Sequence, residues 1–165
     1  TMQGAGGDFL ENVLRRIAYA LKFDDSEYYK ALASSFFISL DNGHALHPNH
    51  PEKCDPTNRP VPGGGVVIKT HANKAYTTDA LSSAVVKEIF SRAGVKYQTF
   101  FNRSDMPSGG TLGAISSGHV GVLSADLGIA QLAMHSASDY DELVSGLTAY
   151  YSSDILFTEE GIKLR

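Results

Sequence analysis

Phe36-Phe37-Ile38-Ser39-Leu40-Asp41-Asn42-Gly43-His44-Ala45-Leu46-His47-Pro48-Asn49 is the stretch that decides how the rest of this chain is read. Its first five residues form an apolar, aromatic-rich run that reads as a short buried strand. Asp41 then falls at or just past the carboxyl end, where open α/β sheets place their ligands. A carboxylate followed by imidazoles offers the oxygen and nitrogen donors that divalent zinc, manganese or cobalt take. Taken alone, Asp41 reads first as a turn residue, because Asp before Asn-Gly commonly holds one. Leu132-Ala133-Met134-His135-Ser136 carries a further histidine inside an apolar segment, which by itself reads more simply as an interior histidine with its bonds satisfied. Asp41 and His135 supply one donor of each kind, and a catalytic zinc site needs about three from protein. His44, His47 and His50 recur every third residue, yet Pro48 forbids a helix through them, and His50 reads as a solvated loop residue.

Working outward, Leu10, Val13, Leu14, Ile17 and Leu21 recur at helical spacing behind Asp8 as a candidate N-cap. A second helix is expected from about Asp25 to Ala33, leading into the strand that ends at Asp41. Residues 42–65 read as a long loop rich in Pro, Asn and Gly, and loops of that length in compact domains are functional or disordered. Gly63-Gly64-Gly65 lacks the Lys-Ser/Thr of a phosphate loop and reads as a turn or hinge. Val66-Val67-Ile68 is expected to be a strand, Asp79 to Ala93 an amphipathic helix stopped by Gly94, and Tyr97 to Phe101 another strand. A polar loop over 102–110, a short helix from about Thr111, a strand from Val120 to Ser124 and a final helix from about Ser138 to Tyr151 complete the pattern. Strands alternating with helices predict an α/β fold with a mixed, largely parallel sheet flanked by helices.

At 165 residues, the chain fits one domain with a real core. The net charge of −4 is mild, and Lys and Arg form no stripe, so neither nucleic acid nor a membrane surface is an expected partner. No apolar run is long enough to span a bilayer, and the opening residues lack the charged and apolar regions of a signal peptide. The single cysteine, Cys54, builds no internal disulfide and suits a reducing compartment, so the cytoplasm is the expected location.

Several longer motifs stand in order. Ser39 to Pro51 is followed by Asn58-Arg59-Pro60, Gly64-Gly65-Val66-Val67-Ile68-Lys69 and Asn102-Arg103-Ser104-Asp105-Met106-Pro107. Gly109-Gly110-Thr111-Leu112-Gly113, Asp126-Leu127-Gly128 and Ala133-Met134-His135-Ser136 come next. Together they resemble the M18 family of metalloaminopeptidases, the aspartyl aminopeptidases, from about Gly4 to about Tyr151. The resemblance implies an enzyme that removes N-terminal Asp or Glu from peptides with two bridged divalent metal ions, zinc or alternatively manganese or cobalt. It implies a zinc-peptidase-like α/β catalytic domain carrying an inserted dimerisation domain, with the full-length protein a homo-oligomer. Asp41 matches a terminal metal ligand, and His135 matches the ligand of the other metal. His44 and Lys69 match positions near the substrate, and Arg103, within the matched 102–107 motif, is assigned to the same side. A buried cation facing the substrate carboxylate would give charge-assisted recognition.

The same resemblance places the first metal-binding His, the bridging Asp, the general-base Glu and its neighbouring Glu ligand upstream of Thr1. Residues 1–165 are therefore expected to be the C-terminal segment of a catalytic domain, without its N-terminal part and without the dimerisation insert, and inactive when isolated. The alternatives are a catalytically inert fragment or degenerate subunit that acts in binding or assembly, and a related metallopeptidase of broader side-chain preference.

Overall fold

The computed structural model describes residues 4–135 and, as backbone, 155–158 and 161–164. Two helices lead in, α1 (Phe9–Ala20) and α2 (Asp25–Ala33). Asp8 occupies the N-cap of α1, but its side chain makes no capping bond. α2 begins more firmly: the Asp24 carboxylate accepts from the Glu27 N–H at 2.8 Å, and the Glu27 carboxylate accepts from the Asp24 N–H at 2.8 Å. This capping box satisfies two donors that a helix start otherwise leaves to water.

The strands follow as β1 (Phe36–Leu40), β2 (Gly43–His44), β3 (Val66–Thr70), β4 (Tyr97–Phe101), β5 (Leu123–Gly128) and β6 (Ala130–Gln131). Helix α3 (Ala80–Ala93) joins β3 to β4, and α4 (Leu112–Ser117) precedes β5. Four strands form one sheet in the order β1-β5-β3-β4. β1 runs parallel to β5 and β3 parallel to β4, while β3 and β5 are antiparallel, so the sheet is mixed and largely parallel as the sequence predicts. β2 and β6 extend the β1–β5 direction as a separate parallel pair. β7 (Ile155–Thr158) and β8 (Gly161–Leu164) pair with each other, antiparallel.

Strand periodicity sorts the side chains into two unlike faces. Val66, Ile68, Ala125 and Leu127 point to one face with Phe36, Ile38 and Leu40, and α3 closes it with Val86, Ile89 and Phe90. α3 is fixed at both ends. Asp79 accepts from the Ser82 N–H at 2.7 Å, and Gly94, left-handed at φ 67°, lets the Val95 N–H reach back to Phe90 O at 2.9 Å. On the other face, Val67, Phe100, Tyr76, Ala45 and Ala130 form a smaller apolar cluster. Phe37 on β1 shares this face, whose polar positions are Ser39 on β1, Ser124 and Asp126 on β5, Lys69 on β3 and Gln98 on β4.

Two expectations are corrected. The strand expected over 120–124 is Leu123–Gly128, because the Val122 N–H turns back onto Val120 O at 2.8 Å and removes Val120 from the ladder. The 42–65 loop is not structureless: it holds β2, a 3-10 turn over Pro51–Lys53, and a clamp made by Gln98. The Gln98 side chain accepts from the Val61 N–H at 2.8 Å and donates to Val61 O at 3.0 Å and Gly65 O at 3.3 Å. The helix expected over 138–151 lies outside the described residues.

Gly128 is where the sheet admits the site. A Cβ there would fall 2.0 Å from Asp41 O, so β1 passes over bare backbone. Gly128→Ala is expected to remove about 2 to 4 kcal/mol of stability, seen as a lower denaturation midpoint at unchanged slope. A loss under about 0.5 kcal/mol, the range of ordinary surface substitutions, would show that the crossing relaxes freely.

Candidate functional site

The site sits where β1 leaves the sheet. The Asp41 N–H still bonds to Leu127 O at 2.9 Å, and the ladder resumes with Gly43 N–H to Ile129 O at 2.8 Å and Ala45 N–H to Gln131 O at 2.8 Å. The backbone is therefore held on both sides of Asp41 and Asn42, while the Asp41 side chain stays 42% exposed. Its Oδ1 accepts from the Asn42 N–H at 2.7 Å, which fixes the carboxylate orientation.

Lys69, on β3, reaches the same point from within the fold. Its side chain is only 2% exposed, and Nζ donates to Asn42 O at 3.1 Å, lies 3.8 Å from Asp41 Oδ2 and stands 5.4 Å from the centre of the Tyr76 ring. Burial pulls the ammonium pKa below the usual lysine value, and the charges of Asp41 and Asp126 oppose that shift. The Tyr76 phenol is pushed up by the same burial, with Asp126 and Asp41 adding to it. His71 stands edge-on to Tyr76, with ring centroids 5.5 Å apart and planes at 85°. Its Nδ1 accepts from the Asn73 N–H at 3.0 Å, so a neutral ring carries its proton on Nε2.

The other expected residues lie on β2, after β6 and in the loop after β4. His44 is exposed on β2, next to Gly43, whose missing Cβ leaves room 3.5 Å from Lys69 Cδ. His135 is exposed, at φ 68°, in the turn after β6, the strand that pairs with β2. Arg103 is tied up locally. Its Nε donates to Asp105 Oδ1 at 2.8 Å and its Nη1 to the Glu52 carbonyl, an arrangement that keeps the guanidinium firmly charged. His50 is solvated as expected, its Nδ1 3.2 Å from Glu52 Oε1.

Asp41 and His135 suit a divalent cation in donor type, and a ligating carboxylate is characteristically held by a further hydrogen bond, as Asp41 is by the Asn42 N–H. They do not suffice in number. Among the described residues, no group of three or more His, Cys, Asp or Glu side chains stands ready to hold a metal ion.

The sequence gives no role to Tyr76 or His71, and it marks Asp126 only as part of the Asp126-Leu127-Gly128 motif. Asp126 was visible in principle, since Ser124 and Asp126 alternate with Ala125 and Leu127 at strand period. Nothing local marks Tyr76, which joins Lys69 only through the fold.

A mixed sheet with a carboxylate and a buried lysine at one strand end defines an α/β domain with its polar centre at the sheet edge. Comparison with known proteins gives its family. Residues 1–153 match the family model described as "Aminopeptidase I zinc metalloprotease (M18)". A "Probable M18 family aminopeptidase 2" of Clostridium novyi is 45% identical over 159 residues, covering 96% of this chain and 36% of that protein. A "Probable aspartyl aminopeptidase" of Ricinus communis is 41% identical, covering 81% of this chain and 27% of that protein. Among solved structures, a chain of the cryo-EM structure of the Ape4 and Nbr1 complex superposes with TM-score 0.80 at 33% identity, covering 92% of this chain and 30% of that one. The S. cerevesiae mApe1 dodecamer superposes with TM-score 0.70 at 36% identity, covering 82% and 30%. The chain belongs to the M18 aminopeptidase family, and it spans about a third of the length of the curated relatives it matches.

The loop beside this edge carries its own titrating anchor. Asp55 Oδ1 accepts from the N–H of Asn58 at 2.7 Å and of Thr57 at 3.0 Å, and from the side chains of Thr57 at 2.9 Å and Asn58 at 2.9 Å. These bonds, those from Asn58 first, lower its pKa to about 2. A depressed carboxylate stabilises the fold above its unfolded pKa and loses that contribution as pH falls through the folded value. The stability difference between the parent and Asp55→Ala is expected to be constant near neutrality and to shrink between about pH 4 and pH 2, measured by denaturant titration at each pH. A difference that stays flat across that window would show the turn does not depend on the ionised group.

Proposed function

We propose that this chain forms one wall of an aminopeptidase active site that removes N-terminal Asp or Glu from peptides at a centre of two divalent metal ions. Asp41 and His135 would each contribute one ligand, and the general-base Glu and the other ligands would come from residues outside this chain. Bound there, the ions supply Lewis-acid activation of a water and of the scissile carbonyl. We take the ions to be zinc, the metal in the family's description.

One observation carries this reading. An ammonium that is 2% exposed lies beside the candidate ligand Asp41 and against an aromatic ring, so a carboxylate entering at the sheet edge meets a cation already desolvated. Desolvated charge pairs discriminate strongly, because a neutral competitor leaves the lysine without its partner. His44 follows Gly43 on β2, and we assign it to the substrate side on the family resemblance alone. The name aspartyl aminopeptidase borne by the Ricinus communis relative supports acidic selectivity, and the mApe1 dodecamer supports homo-oligomerisation of the full-length protein. The lone Cys54 supports a reducing compartment, the cytoplasm. No helix among the described residues is long and apolar enough to cross a membrane.

In the full-length protein, Lys69→Ala is expected to lower kcat/KM for Asp- or Glu-terminated peptides by about 10²-fold or more, since truncating one partner of a buried charge pair costs about 2 to 5 kcal/mol. Ala-terminated peptides should lose far less. Equal losses on both would remove Lys69 from substrate recognition. Residues 1–165 alone, given excess zinc, manganese or cobalt, are expected not to cleave an Asp-terminated peptide, and a separately made N-terminal portion should restore cleavage on mixing. Metal-dependent turnover by the chain alone would show that the site is complete within it.

A further inference from the structure

Asp126 is the most deeply buried carboxylate on the polar face, at 0% exposure. It lies in the central row of the sheet. The parallel register sets Ser39 beside it, and extending the antiparallel register from Ile68↔Leu127 by one residue sets Lys69 opposite it. Its Oδ2 accepts from the Thr77 N–H at 2.6 Å and from Thr111 Oγ1 at 2.8 Å. Its backbone N–H bonds to Thr78 Oγ1 at 2.8 Å, and Thr77 Oγ1 donates to Ser117 Oγ at 3.3 Å. One carboxylate oxygen thus collects the 71–79 segment, which carries His71 and Tyr76, and the start of α4, which follows the polar 102–110 loop.

The second oxygen is spent differently. Asp126 Oδ1 and the neighbouring Ser39 Oγ are both buried without a hydrogen-bond partner among the described residues. α4 seals them in through Gly113, where a Cβ would lie 2.5 Å from Asp126 Oδ1 and 2.8 Å from Ser39 Oγ. A buried carboxylate with one oxygen unmatched is a costly way to tie two loops down. Its charge, however, lies across the sheet register from Lys69 and acts on both Lys69 and Tyr76.

We infer that Asp126 is a positioning residue: through Thr77 and Thr111, and by its charge, it holds the Lys69–Tyr76 wall in the arrangement that receives an acidic side chain. Asp126 touches no substrate and acts only through that wall. The inference rests on the proposed role of Lys69 in substrate selection.

The test uses the full-length protein with Asp126→Asn and, because that variant alters a core charge, Thr111→Val as a milder second variant. Two quantities are read: the ratio of kcat/KM for Asp- over Ala-terminated peptides, and amide hydrogen exchange at 71–79 compared with α3. Asp126→Asn keeps the size and the acceptor but loses the charge assistance that roughly doubles hydrogen-bond strength. Its selectivity ratio is expected to fall about tenfold, with exchange at 71–79 faster by about tenfold and α3 unchanged. Thr111→Val should move both in the same direction by less. A residue that only supports the fold would lower both substrates by one factor and leave the ratio alone; that result, with unchanged exchange at 71–79, overturns the inference. If the parent protein shows no preference for acidic termini, the proposed function fails instead. Exchange at 71–79 then decides the role of Asp126 by itself: loss of protection there supports it, and unchanged protection overturns it.

Discussion

The structure turns on a lysine ammonium kept almost wholly out of water at the end of a strand. Lys69 stays buried because three things meet it: the Asn42 carbonyl, the Asp41 carboxylate and the Tyr76 ring. Each comes from a different part of the chain, and each must be delivered by its own backbone device. Asn42 and Asp41 are delivered by the break between β1 and β2, which exists because Gly128 leaves no side chain in the way. Tyr76 is delivered by a segment whose return to the sheet is anchored on Asp126. Remove any of these and the ammonium loses part of what offsets its desolvation, which costs several kcal/mol per buried ion in real proteins.

The burden of folding falls on the other face. Val66, Ile68, Ala125, Leu127, Val86 and Phe90 make a dry contact between the sheet and α3, with no ionisable group among them. Burial of that kind stabilises by about 25 cal/mol for each Å² removed from water. The sheet can therefore carry Lys69 and Asp126 on its opposite side without losing its order. One set of strands serves both ends because side chains alternate: every strand that feeds the α3 contact also presents its intervening residues to the polar face.

That division explains what could be read from the sequence. β1, β3, β4 and α3 were legible because their apolar residues recur with the right period and their ends carry unambiguous punctuation, such as Gly94 after α3. The place of Asp41, just past a strand, was legible because it ends an apolar run. β5 was misplaced because Val120 and Val122 look like strand residues, while the true strand alternates small and polar side chains, Ser124 and Asp126, with Ala125 and Leu127. The bond from the Arg103 guanidinium to the Glu52 carbonyl joins two loops far apart in the chain and has no signature in the sequence. Tyr76 and His71 were invisible for the same reason: a contact made across the fold leaves no period in the chain.

The polar face also argues for function without reference to any relative. Replacing a buried ion pair by well-packed apolar residues is often neutral or stabilising, so stability alone gives no reason to keep Asp41, Lys69 and Asp126 within reach of one another. Nor does local turn geometry, since Asp41 is held by the ladder on either side and needs no charge partner to stay in place. What the three charges do provide is a fixed electrostatic pattern at an open sheet edge, a cation flanked by two carboxylates of unequal exposure. The Asp41 carboxylate is partly open to solvent, and the Asp126 carboxylate is buried and held by Thr77 and Thr111. An arrangement of that kind is preorganised for a charged ligand before the ligand arrives, which is the condition under which buried charge becomes selectivity and not merely cost.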